Sequence, residues 1–202
     1  VIFITCVGIN LYFSYNSNVK DEKDKKKYYG KQLSRVIKLL IAALCISVFS
    51  YFIFGDMFVK FGILHFIGFS SLLLIPFVNN HNMILSFIIA VIILRLLMAE
   101  RSFFSWVPPE PAFIAGFYSN WGAVDHFPFI PWIIFICIGI IIGKFLIVKR
   151  VKESDKIKNL KNYSGVNAIN TCGKYSFEIY IVHWIILYLF FAHVYPKFRQ
   201  LR

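Results

Sequence analysis

Three stretches of this chain, Val36 to Phe54, Met83 to Ala99 and Phe127 to Val148, are almost continuously apolar. Each is close to the ~20 helical residues that cross ~30 Å of hydrocarbon. Runs of this length leave two options, a deeply buried core or a lipid environment. Composition decides between them: 58% of the 202 residues are hydrophobic, above the roughly 45–50% usual for soluble domains, and one soluble core cannot hide the excess. A barrel of ~10-residue alternating strands is excluded because the runs are too long and do not alternate. Helices satisfy their own backbone in lipid. The apolar pattern predicts helices at about 1–16, 36–54, 62–79, 83–99, 128–148 and 174–193. The expected fold is therefore all-α, a polytopic transmembrane bundle of about six helices.

Charge sets the expected orientation. The formal net charge is +12, and 16 of the 22 Lys and Arg fall in two stretches, Ser17 to Lys38 and Lys144 to Lys174. Crossing once per helix puts both stretches on one side, which the positive-inside rule makes the cytoplasm. Concentration in loops beside apolar runs favours anionic lipid headgroups as the partner and argues against nucleic acid. The two stretches read as solvated lysine-rich connectors that can also attract an anionic cofactor. Cys6, Cys45, Cys137 and Cys172 show no CxxC or His-rich spacing, so neither a disulfide nor a zinc site is expected. The chain opens at Val1 inside an apolar run, without Met or a basic leader, and reads as a fragment truncated at its start.

Polar groups inside or beside these runs are costly and are functional candidates by default. His65 lies in FGILHFIGFSSLLLIPF, about one turn inside its helix, among Gly62, Gly68, Ser70 and Ser71. It reads either as a packing histidine or as a general base or proton relay. Asp125 and His126 stand in DHFPFIPW, just before the next inward-going helix. They read as a cap and turn, or as partners of His65 in one polar cavity of the outer third of the membrane. The long connection from Glu100 to Phe127 carries Trp121 and is the obvious place for a substrate contact. Ser176, Tyr180 and His183 share one face of the last helix, as helix glue or a substrate path. Arg95 sits near the outer end of its helix, snorkelling or pairing with Asp125 or Glu100. No Gly-rich phosphate loop, GxSxG elbow or HExxH occurs in the sequence.

Four blocks, VGINLYFSY, FGDMFVKFGILHFIGFSSLLL, DHFPFIPWIIFICIGIIIGK and GKYSFEIYIVHWIILY, occur in order over nearly the whole chain. In this the chain resembles the heparan-alpha-glucosaminide N-acetyltransferase catalytic-domain family and its microbial relatives, within the transmembrane acyltransferases. The resemblance implies a single multi-helix domain over 1–202 that lacks the first family helix with its RG motif. It implies acetyl-CoA or another acyl-CoA as cytosolic donor, no metal, and a small-molecule or glycan acceptor on the outer face. His65, Asp125 and His126 are the catalytic candidates, with Trp121, Tyr180, His183 and Arg95 as substrate contacts. Animal members tend to have Gln where this chain has His65, and their proposed acetyl-handling histidine lies upstream. Expected partners are the lipid bilayer of the cell membrane and the acceptor, with room for a homodimer and none for nucleic acid. Two other classes stay open: a transporter or lipid-handling protein without bond chemistry, and a structural subunit. An inverted repeat or a pair of broken helices would mark the transporter, and neither is evident.

Overall fold

A computed structural model of the protein describes residues 1–97, 114–115, 125–152 and 175–190. Among them are six principal helices: α1 (Ile2–Asn18), α2 (Glu22–Phe54), α3 (Ile63–Leu74), α4 (His81–Leu97), α5 (Phe129–Lys152) and α6 (Ser176–Leu189). Short 3-10 turns cover Gly55–Met57 and Ile75–Phe77. The chain forms two compact units, Val1–Val148 and Lys149–Arg202, and each is described by itself. Among the described residues the architecture is all-helical, with one isolated bridge between Phe61 and His126.

The largest departure from the sequence pattern is at the start of α2. The first basic stretch, expected to be a connector up to about Lys38, is helical from Glu22. The reason is local. The Asp24 carboxylate accepts the backbone N–H groups of Lys20 and Asp21 at 3.2 and 3.3 Å, so the first turn is capped by its own side chain. Glu22 and Asp24 also place negative charge at the positive end of the helix dipole, and Lys25 pairs with Glu22 one turn away. Tertiary contacts then anchor the extension. The Tyr28 hydroxyl donates to the Leu11 carbonyl at 3.4 Å, and the Gln32 amide to Ser14 Oγ at 2.6 Å. The Tyr15 and Tyr28 rings meet edge-on at 5.3 Å.

The other boundaries follow from single residues. α3 stops at Leu74 because Pro76, inside the following 3-10 turn, has no N–H to continue the ladder. α4 starts at His81 because Asn80 Oδ1 accepts the Met83 N–H at 3.2 Å, an N-cap bond. Gly55, at φ +57°, ends α2 in a conformation that glycine adopts without penalty.

α5 buries one face, with Ile133, Ile136, Cys137 and Ile140 fully enclosed. It packs on α1 at a crossing of small residues. A Cβ on Gly8 would collide with the Ile136 carbonyl and lie 3.0 Å from Gly139 Cα, and one on Gly139 would collide with the Thr5 carbonyl. One turn on, a Cβ on Gly143 would lie 3.0 Å from Tyr12 Cβ. This is backbone-to-backbone packing of the small-xxx-small kind.

The outer faces of α2 and α4 are apolar. Ile37, Ile41, Leu44, Val48 and Phe52 recur at helical spacing along α2, as do Leu85, Ile89, Ile92 and Leu96 along α4, and all are exposed. Glu22–Ile53 and Phe129–Ile147 are long and apolar enough to cross a membrane, and Ile63–Phe77 and His81–Leu97 are shorter apolar helices.

The Gly8–Gly139 crossing yields a paired prediction. Gly139→Ala forces a methyl into backbone and should destabilise the protein by about 2 kcal/mol or more. Gly30→Ala, at an exposed helical position with nothing within 4 Å of its Cβ, should be neutral or stabilising by up to ~1 kcal/mol. Thermal midpoints in detergent check both; equal midpoints for the two variants would refute the crossing.

Candidate functional site

The site is built on the turn that leads from α2 into α3. Its anchor is Val59, whose backbone is held by two buried serines of α2. Ser47 Oγ donates to the Val59 carbonyl at 2.6 Å, and Ser50 Oγ accepts the Val59 N–H at 3.0 Å while donating to the Ser47 carbonyl at 2.9 Å. Away from water such backbone groups must find protein partners, and the i, i+3 spacing of the two serines puts both on the required face.

Two residues on, Phe61 joins the segment that precedes α5. The Phe127 N–H donates to the Phe61 carbonyl at 2.8 Å, beside the bridge of Phe61 with His126. Asp125 therefore arrives at the N-terminus of α3, where its carboxylate accepts the Ile63 N–H. It also lies against Gly62, where a Cβ would be 2.7 Å from Asp125 Oδ2 and 2.9 Å from Val59 Cγ1. Only glycine admits so close an approach.

His65, buried in the first turn of α3, completes the turn from the other side. The Gly62 N–H donates to its Nδ1 at 3.3 Å, and the Phe61 ring stacks on the imidazole at 5.7 Å. An aromatic wall of Phe66, Phe127 and Trp132 lies alongside, with ring separations of 5.0 Å for Phe66–Phe127 and 4.9 Å for Phe127–Trp132.

The hydrogen bond fixes the state of the histidine. Because Nδ1 accepts a backbone N–H, the neutral ring carries its proton on Nε2. Nε2–H is then a hydrogen-bond donor. Asp125 stands in the segment before α5: burial pushes its carboxyl above the ordinary carboxylate value of 3.8, while the Ile63 N–H and the neighbouring His126 act in the opposite sense.

The structure thus brings His65, Asp125 and His126 together around Phe61–Ile63. Arg95 is exposed in the last turn of α4. Tyr180 and His183 belong to the second unit, where their rings meet at 5.1 Å and His183 Nδ1 contacts the Ile179 carbonyl at 3.3 Å. Trp121, Cys172 and the basic residues from 153 to 174 lie outside the described residues. Sequence reading missed Ser47, Ser50 and the close approach at Gly62; two serines one turn apart in an apolar run were the available signal for the first pair.

These features define an all-helical protein with long apolar helices and a histidine–carboxylate cluster where one helix begins and the segment leading to another passes. Comparison with protein families then places it: the chain belongs to the family described as heparan-alpha-glucosaminide N-acetyltransferase, catalytic, which it matches over residues 1–185. Membership carries an acetyltransferase-type function. Neither the curated proteins nor the solved structures contain a match.

The upward displacement of Asp125 makes a pH prediction. A carboxyl whose folded pKa exceeds its unfolded one contributes stability that is present below the unfolded pKa and lost as pH rises through the folded one. Asp125→Asn keeps an acceptor for the Ile63 N–H and removes the charge. The variant should therefore gain stability relative to the parent as pH is raised from about 3.8, read as the difference in thermal midpoint. A difference independent of pH would mean that burial does not disfavour the charged form.

Proposed function

We propose that the protein is a multi-pass membrane acyltransferase that moves an acetyl or other acyl group from a cytosolic CoA thioester to an acceptor, such as a sugar, on the outer face. Membrane embedding is supported by the exposed apolar stripes on α2 and α4 and by two helices of spanning length. In this reading α1, α3 and α5 run inward, and the His65 cluster lies at the outer end. The observation that carries the chemistry is the single turn Phe61–Ile63, against which a histidine N–H donor and a half-buried carboxylate both stand.

The roles follow from the protonation states. Asp125, made more basic by burial, takes the proton of the acceptor hydroxyl or amine. The acceptor heteroatom then forms its bond to the acyl carbon as the bond from that carbon to its leaving group breaks. His65 Nε2–H donates to the oxygen on which negative charge develops. A donor role also suits the Gln that animal members of the family tend to carry at this position, because a Gln amide donates an N–H and is no base. Bound CoA thioester supplies the activated acyl carbonyl, and exposed Lys144 on α5 has the charge to receive one of its phosphates.

The test is acyl transfer by the full chain in lipid nanodiscs, with acetyl-CoA and a panel of amino sugars. His65→Ala should lower kcat by about 10²-fold and Asp125→Asn by about 10²–10⁴-fold. His65→Gln should retain more activity than His65→Ala. If His65→Gln is as inactive as His65→Ala while both fold, the donor role is wrong; if none of the three changes affects transfer, the cluster is structural.

A further inference from the structure

α2 is longer than the layer that its apolar part fits. Its 33 residues extend roughly 50 Å at 1.5 Å per residue, against ~30 Å of hydrocarbon. In the membrane reading above, counting ~20 residues back from Phe54 puts the hydrocarbon edge at Arg35. The turns from Glu22 to Ser34 then project beyond it.

The projecting part is held rigidly. Tyr28 and Gln32 pin it to α1 through Leu11 and Ser14, and Val36 continues the same buried row. That row fixes which way the other side chains of these turns face. Lys27, Lys31 and Arg35 each precede one of its members by one residue, and all three are exposed. With Lys38, which is also exposed, they make one cationic flank at helical spacing.

This flank has no anion of its own. Between Lys25 and Gly55 the sequence contains no Asp or Glu. The acidic residues in the first turn of α2 are already engaged, Glu22 with Lys25 and Asp24 with the backbone that it caps. Among the described residues Lys27, Lys31, Arg35 and Lys38 take part in no ion pair; Lys31 Nζ reaches Asn18 Oδ1, a neutral partner, at 3.5 Å. Toward the middle of the helix the same flank turns apolar. Cys45 and Phe49, seven and eleven residues on from Lys38 and therefore on its side, are exposed.

Cations above an apolar flank at the hydrocarbon edge complement an anionic phospholipid, phosphate to cations and acyl chain to the apolar part. A soluble anion would gain only the first half. Depth selects the cations that take part. Lys38 lies about 4 Å to the hydrocarbon side of Arg35 and can snorkel outward. Lys31 lies about 6 Å to the other side, within a headgroup layer of roughly 5–7 Å, and Lys27, about 12 Å out, is beyond that layer.

We propose that Lys31, Arg35 and Lys38 form a site for an anionic phospholipid of the cytoplasmic leaflet, its phosphate held by the three cations and an acyl chain running along Cys45 and Phe49. The Arg35 guanidinium offers a fork of N–H donors to two phosphate oxygens, and the two ammonium groups add charge on either side. The inference rests on the membrane reading above and on none of the acyl-transfer chemistry.

The test reconstitutes the full chain into nanodiscs of equal parts phosphatidylglycerol and phosphatidylcholine and counts, by native mass spectrometry, the lipids that the chain retains on release. The unaltered chain should retain phosphatidylglycerol over phosphatidylcholine by about fivefold or more. Arg35→Gln and Lys38→Gln, which remove only exposed charge, should each lower that preference about three- to fivefold, the worth of one cation near an anionic surface. Lys27→Gln should change it by less than about twofold, because the attraction fades within a Debye length. Equal losses for Lys27→Gln and Arg35→Gln would mark a longer anionic partner outside the bilayer and overturn the site. Equal retention of the two lipids by the unaltered chain, or a preference that inorganic phosphate in the buffer abolishes, overturns it too, while the membrane reading stands. A chain that does not enter the nanodiscs at all overturns both.

Discussion

Backbone amides and carbonyls away from water must find partners within the protein, and in this molecule that constraint shapes the turn between α2 and α3. At Val59 the partners are Ser47 and Ser50; at Phe61 the partner is the Phe127 amide; at Gly62 it is the His65 ring; at Ile63 it is the Asp125 carboxylate. The five partners come from α2, from the segment before α5 and from α3 itself. Satisfying one short stretch of chain thus ties three parts of the fold together and gathers the polar side chains in a single place. Cap and candidate site are the same atoms. A cap fixes geometry, and fixed geometry is what a catalytic group requires.

The same economy governs the helix packing. In the membrane reading proposed above, lipid offers no hydrophobic reward for burying one apolar helix against another, so close backbone approach and dispersion carry the association. Gly8, Gly139 and Gly143 permit that approach between α1 and α5. They also set the height at which Tyr12 meets α5, and hence the neighbourhood of His81. A methyl group at the crossing would be felt at both levels.

The six helices were legible in the sequence because long apolar runs admit few other structures, and five of their six starts were placed within two residues. The start of α2 was not, since a run of lysines resembles a solvated loop until the Asp24 carboxylate is seen capping Lys20 and Asp21. For the site, the motifs around His65 and Asp125 pointed to the right residues because polar groups in apolar runs are rare. Their roles were illegible: donor or base depends on which imidazole nitrogen accepts a hydrogen bond, and only the fold places the Gly62 amide on Nδ1. His81 escaped notice for a related reason. At a helix start among Asn79, Asn80 and Asn82 it stands in no apolar run, and its enclosed Nε2 is visible only in the fold.

The central claim is the state of His65. Nitrogen NMR of the histidine-labelled chain in lipid nanodiscs, assigned through His65→Gln, reads it directly. The account predicts a neutral His65 ring with its proton on Nε2 and a lone pair on Nδ1 at neutral pH. A proton on Nδ1, or on both nitrogens, would contradict it, because the Gly62 amide would then have no acceptor and His65 would be free to serve as a base or a cation.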